Sequence, residues 1–287
     1  LNTGWRWMFG SELIPSILFL VFIFLIPESP RWLFQKGETS KAIAVLQKIN
    51  TPEEVAQVQS EIENSLHQED KNQWKHLSNP LFKKALFVGI GLSVLQQLTG
   101  INAILYYAPE IFKSLGSATD VSLLETSILG VVNLIFTLFA IKLVDKMGRK
   151  PLLYMGSIGM TIALAAVGLF IYFDAVGNWV LPFLLLFMGA FSISWGPIVW
   201  VLLSEIFPTK IRSLALAISV FIQWVANFVV TQVFPSLVEN QWLKDNFNGA
   251  FPFYLFSVIC LFSLVFVWKK IPETKNKTLE EMEALWK

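Results

Sequence analysis

One cysteine, two histidines and a charged fraction of only 15% are the scarcities that frame this 287-residue chain. Cys260 alone rules out an internal disulfide framework, and a small buried apolar residue is the expected reading. His67 and His76 both fall in a polar stretch and show no metal-ligand spacing, so neither a metal nor any other cofactor is expected. The chain has no P-loop, no nucleophile elbow and no glycine fingerprint placed after a strand. No acid/base pair is set for catalysis, and an enzyme is not expected. Ordinary soluble domains are about a quarter charged, so the depletion points to lipid as the solvent. A net charge of +1 makes no case for a nucleic-acid partner.

What the chain has in quantity is apolar: 54% hydrophobic residues, 25 Phe, 11 Trp and a mean hydropathy of +0.57. Runs of about 20 apolar residues, enough to cross the hydrocarbon core, recur at 8–26, 84–107, 121–144, 152–173, 180–203, 213–236 and 250–270. The expected fold is all-α, a polytopic membrane bundle with the bilayer as its partner. Eighteen of the 22 Lys and Arg lie in 27–84, 145–151, 205–213 and 269–287, whereas the intervening connections carry Lys113 and Lys244. The positive-inside rule therefore places the long loop, the 145–151 turn and the C-terminus in the cytoplasm. Residues 34–82 have the period of soluble helices, with Ala42, Val45, Leu46 and Ile49, then a Thr51 to Glu54 capping box followed by Val55, Val58, Ile62 and Leu66. Thr278 to Glu281 forms a second capping box, ahead of a short tail helix that carries Leu279, Met282 and Leu285. Seven spans and no initiator Met suit either an odd-spanned protein or a fragment of a longer one.

Hydrogen-bonding groups are sunk in several of these runs. The second span carries Gln96, Gln97, Asn102, Tyr106 and Tyr107, with Gly100 and Pro109 permitting a break that would swing Asn102 toward the two glutamines. The third has Asn133 and Thr137 one turn apart, and the sixth has Gln223, Asn227 and Thr231 in a stripe beside Trp224. Without water each such group must meet protein, a wet cavity or a ligand. One amide could serve as interhelical glue, but three in one stretch predict a cavity. Neutral amides suit a neutral, hydroxyl-rich solute: each offers two donors and an acceptor, and an indole offers a flat face to C–H groups. Trp200, after Gly196-Pro197, reads equally as a belt residue or as a ring turned into that cavity. Glu12, in the first span, reads equally as an interfacial carboxylate paired with Arg6 or as a proton-coupling group.

The chain resembles the sugar porters of the major facilitator superfamily over essentially all of its length. The motifs that carry the resemblance are Pro27-Glu28-Ser29-Pro30-Arg31, Gln96-Gln97-Leu98-Thr99-Gly100-Ile101-Asn102, Asp145-Lys146-Met147-Gly148-Arg149-Lys150, Trp195-Gly196-Pro197 through Trp200, Glu205-Ile206-Phe207-Pro208 through Arg212, and Pro272-Glu273-Thr274-Lys275. The resemblance implies a twelve-span fold of which this chain holds seven, the sixth through the twelfth. It divides the chain into the last span of the N-terminal half (1–27), a cytoplasmic linker with short amphipathic helices (28–83), the C-terminal six-helix half (84–270) and a cytoplasmic tail helix (271–287). It implies that Gln96, Gln97, Asn102, Trp200 and Gln223 bind sugar, and that Tyr106, Asn133, Gly196 and Trp224 line the same cavity. Asp145, Arg149, Glu205 and Arg212 would form a cytoplasmic latch, and Glu12 matches an acidic residue tied to proton coupling. The implied activity is secondary transport of a neutral monosaccharide, D-xylose first, with protons, by alternating access in a monomer of the inner (plasma) membrane. Alternatives are a facilitative or proton-coupled hexose carrier, a non-transporting sugar sensor that signals through the loop or tail, and a seven-span receptor.

Overall fold

Asn79 starts the first long membrane helix. Its side-chain oxygen accepts from the Leu81 N–H at 3.0 Å, and Pro80 stands where a helix needs no N–H. The helix runs from Pro80 to Leu98 and stops at Thr99, because Gly100 takes a φ of 86°, a left-handed conformation open to glycine at little cost. A Cβ at Gly100 would also enter the Phe256 ring. The chain resumes as Ile101–Tyr106 and then Ala108–Ser114, with Pro109 in the first turn of the latter.

The computed structural model describes residues 4–68, 73–77, 79–175, 179–208, 210–275, 277, 282 and 286, and every regular element among them is a helix. Among the described residues six helices have the length and apolarity to cross a bilayer: Pro80–Tyr106, Thr119–Met147, Arg149–Tyr172, Val180–Glu205, Arg212–Glu239 and Phe251–Lys270. They correspond to the last six of the seven expected spans. The first expected span is a shorter apolar stretch, Phe9–Leu25, interrupted by a turn at Glu12 that separates Gly4–Ser11 from Leu13–Leu25.

The fifth expected span is also divided. The break is at Ser194, with φ −130° and ψ −92°, and Gly196-Pro197 sits inside the first turn of Trp195–Glu205. Proline lacks the N–H that would reach back four residues, and its ring crowds that carbonyl, so the disruption falls on the turn before it. Pro15, also third in its helix, has the same relation to the turn at Glu12.

By contacts the chain divides into Leu1–Lys71 and Asn72–Lys287. In the first unit Pro30–Gln35, Thr39–Ile49 and Pro52–Gln68 pack together around Leu33, Ala42, Leu46 and Val55. Ser29 caps the first of these by accepting from the Trp32 N–H, and Glu54 reaches back to the Thr51 N–H at 3.0 Å, the glutamate half of the expected capping box.

In the second unit Arg149–Tyr172 packs against both Phe251–Lys270 and Val180–Ile193, and Pro80–Leu98 packs along Arg212–Glu239. Cys260 is fully buried in this core. Of the tail, Met282 and Trp286 are buried, and the Trp286 indole donates to the Ile206 carbonyl at 3.0 Å. The Thr278 to Glu281 capping box, Leu279 and Leu285 lie outside the described residues.

Candidate functional site

The break at Gly100 puts Gln96 and Gln97 in the last turn of one helix and Asn102 in the first turn of the next. The three amides form a ladder. Asn102 Nδ2 donates to Gln97 Oε1 at 2.7 Å, and Gln97 Nε2 donates to Gln96 Oε1 at 3.3 Å. Gln96 Nε2 donates to the Trp195 and Gly196 carbonyls at 2.7 and 3.2 Å. A carbonyl only accepts, so the Gln96 nitrogen is fixed against them and the polarity of the whole ladder follows. The ladder leaves one N–H of Gln97, one N–H of Asn102 and Asn102 Oδ1 uncommitted.

These amides open on a cavity of about 270 Å³. Its lining also carries Gln223 and Asn227, one helical turn apart, whose side-chain oxygens are buried without a hydrogen-bond partner. Asn133 joins from Thr119–Met147, its oxygen accepting from Ser192 Oγ at 3.0 Å and from Thr137 Oγ1 at 3.3 Å. Trp200 and Trp224 add indoles that are 45% and 59% exposed, and Gly196, Ile101, Leu105 and Phe191 complete the lining. Trp200 thus stands on the cavity wall.

Among the described residues no charged one lines the cavity. Its volume falls just under the range of about 300–1,000 Å³ that takes drug-sized ligands. Buried acceptors without donors and donors without acceptors are costly unless a solute completes them. The arrangement therefore fits a small neutral solute that both donates and accepts, with apolar faces for the indoles.

Of the residues expected at the cavity, the structure brings Gln96, Gln97, Asn102, Asn133, Gly196, Trp200, Gln223 and Trp224 together and leaves Tyr106 outside. Tyr106 ends its short helix with 60% of its surface exposed, and Leu105 takes the place at the wall. Asn227, seen in the sequence only as part of a stripe, belongs to the lining; its spacing of four from Gln223 was the available signal. Glu12 belongs to the Leu1–Lys71 unit, where it is exposed and its carbonyl accepts from Ser16 Oγ. Glu125, unremarked in the sequence, keeps one carboxyl oxygen buried without a hydrogen-bond partner and does not line the cavity.

A second cluster surrounds the turn at Gly148. Arg149 meets Glu205 with two bonds, Nη2 to Oε1 at 2.7 Å and Nε to Oε2 at 3.2 Å, and reaches the exposed Asp145 at 3.4 Å. Arg212 donates to the Phe207 carbonyl from Nε and Nη2. The sequence missed the central role of the 273–274 segment. Glu273 accepts from the backbone N–H groups of Arg149, Lys150, Thr274 and Lys275, each at 3.0 Å, and Thr274 Oγ1 donates to Glu205 at 2.6 Å. Burial pushes the Glu273 carboxyl up, but the four N–H donors outweigh it and hold it below the usual carboxylate range. Gly148 has a φ of 91°, and a Cβ there would stand 2.7 Å from the Glu273 carboxylate.

Comparisons with known proteins agree on one family. The profile of the sugar (and other) transporter family matches residues 1–286. A D-xylose-proton symporter of Escherichia coli (strain K12) is 47% identical over 287 residues, which is 100% of this chain and 58% of that protein. An arabinose-proton symporter of Bacillus subtilis (strain 168) is 41% identical over 286 residues, 99% of this chain and 60% of that one. Among solved structures, the major facilitator proton:xylose symporter XylE bound to 6-bromo-6-deoxy-D-glucose superposes with a TM-score of 0.83 at 46% identity, covering 99% of this chain and 59% of the other. The chain thus spans somewhat more than half the length of the relatives it matches.

Proposed function

Because the chain belongs to the sugar transporter family, we propose that its amide-lined cavity binds a neutral monosaccharide, D-xylose first, which the carrier moves together with a proton by alternating access. The observation that carries this is the uncharged hollow in which an oriented amide ladder faces two buried, unpartnered carbonyl oxygens. In this reading Gln97, Asn102, Gln223 and Asn227 exchange hydrogen bonds with ring hydroxyls, Gln96 holds the ladder, and Trp200 and Trp224 take the C–H faces. Half a dozen neutral bonds at about 0.5–1.5 kcal/mol each give roughly 3–9 kcal/mol before ordering costs. The surplus left after those costs corresponds to about micromolar binding or weaker, loose enough for release.

Two pentose-proton symporters among the relatives support a pentose and proton coupling. Glu12 is the candidate proton-linked carboxylate of this chain. Arg149 and Glu205, with Asp145 and Arg212, act as a latch at the cytoplasmic ends of the spans, an orientation that rests on the bias of Lys and Arg. Residues 1–27 and 84–270 are then membrane segments of an inner-membrane protein, with 28–83 and the 271–287 tail in the cytoplasm.

Calorimetry with the purified protein tests the site: saturable heat with D-xylose or L-arabinose is expected, and no heat with any neutral pentose or hexose overturns the reading. Uptake into proteoliposomes tests transport. Accumulation driven by an inward proton gradient is expected; uptake indifferent to the gradient would make the protein a facilitator, and binding without uptake a sensor.

A further inference from the structure

Arg149–Tyr172 and Phe251–Lys270 contribute no residue to the cavity, yet both are tied to the residue against which the amide ladder is set. Trp195, the first residue after the break at Ser194, is fully buried. Its carbonyl accepts from Gln96, and its indole N–H donates to Ser157 Oγ at 2.8 Å. Ser157 Oγ lies 3.3 Å from Ser263 Oγ, and Ser263 gives its proton to the Cys260 carbonyl at 2.7 Å. A hydroxyl has one proton, so Ser157 must be the donor to Ser263. The chain of bonds has one direction: indole, Ser157, Ser263, Cys260 carbonyl. Gly156 enforces the approach, because a Cβ there would strike the Ser194 hydroxyl, which itself donates to the Ala190 carbonyl.

Two directional chains thus end on one residue: the ladder on its carbonyl, the hydroxyl pair on its indole. We infer that Trp195 is a positioning residue for the cavity, anchored through Ser157, so that sugar affinity is set in part by two helices that never touch the sugar. A half-helix beginning at an irregular residue leaves its first N–H groups without intrahelical partners, so its first turn is held in place by contacts from outside the helix. The indole anchor supplies what the helix lacks. Loss of the Ser157 hydroxyl leaves a buried N–H without a partner, and the break relaxes to satisfy it.

The inference rests on the cavity being the sugar site proposed above, and its test separates the two. Ser157→Ala, Trp195→Phe and the double variant are prepared in the whole chain, and D-xylose binding is measured by calorimetry beside hydrogen exchange of residues 194–200. Each single change is expected to weaken binding about five- to tenfold, the double no more than the worse single, with exchange at 194–200 accelerated. Ser263→Ala, one link further out, should move both readouts the same way by a smaller factor, and it covers the case in which Ser157→Ala fails to fold. A contact that only stabilises the bundle would lower the melting temperature and leave affinity and local exchange unchanged; that result overturns the inference. Multiplying losses in the double variant overturn it too. If the unaltered protein binds no neutral monosaccharide, the sugar reading fails, and unaccelerated exchange in Ser157→Ala would sink the positioning role as well.

Discussion

At Gln96 a nitrogen faces two carbonyl oxygens at 2.7 and 3.2 Å. Gln96→Glu would turn both donations into contacts between oxygens while keeping size and shape. D-xylose affinity should fall at least about tenfold by calorimetry, since a lost bond that leaves a buried carboxylate facing acceptors costs more than a neutral one. Gln223→Ala removes an amide whose oxygen has no partner within the protein and should weaken binding several-fold, with membrane insertion intact. Equal, undiminished affinity in both variants would remove these residues from the proposed site.

Gly100 and Glu273 show how single positions govern whole elements. Gly100 sets the left-handed step that aims Asn102 back at Gln97, and the Phe256 ring fills the space a Cβ would need. Gly100→Ala carries a backbone cost of about 1–2 kcal/mol plus that clash. It should lower the melting temperature and D-xylose affinity together, because fold and ladder share the turn. Glu273 ties the start of Arg149–Tyr172 to the segment after the last span. Its carboxyl is held below the ordinary range, so its stabilising contribution is present above about pH 4.3 and is lost as pH falls through the lowered value. Glu273→Gln should melt at a lower temperature at neutral pH, and scanning fluorimetry should show the gap from the unaltered protein narrowing under acid conditions.

For the molecule entire, the charged cluster and the cavity share one half-helix: Glu205 ends it, nine residues from Gly196 and five from Trp200 on the cavity wall, roughly 14 and 8 Å along the axis. Glu205→Ala would strip Arg149 of its bidentate partner and Thr274 of its acceptor. The expected outcome is a lower melting temperature and slower uptake into proteoliposomes, with equilibrium D-xylose affinity within about twofold. A large loss of affinity would show that the two sites are not separable in this way.

What the amino-acid sequence determined alone is what composition and period can carry. Long apolar runs announced the helices, and amides buried in those runs announced a polar hollow, because lipid offers such groups no water. Glycine at 100 announced the turn that makes the ladder. Other matters depended on which atoms meet across helices, and only tertiary structure decides those. The fifth span breaks at Ser194, ahead of Pro197, because proline acts on the turn before it. Tyr106 leaves the cavity and Asn227 enters it through the rotation of two helices relative to the hollow. Glu273 becomes a hub through four backbone donors, two of them more than a hundred residues away. Trp195 is bound to Ser157 across 38 residues of chain. Hydrogen-bond direction and close approach between distant segments have no period to read, and they exist only once the helices are packed.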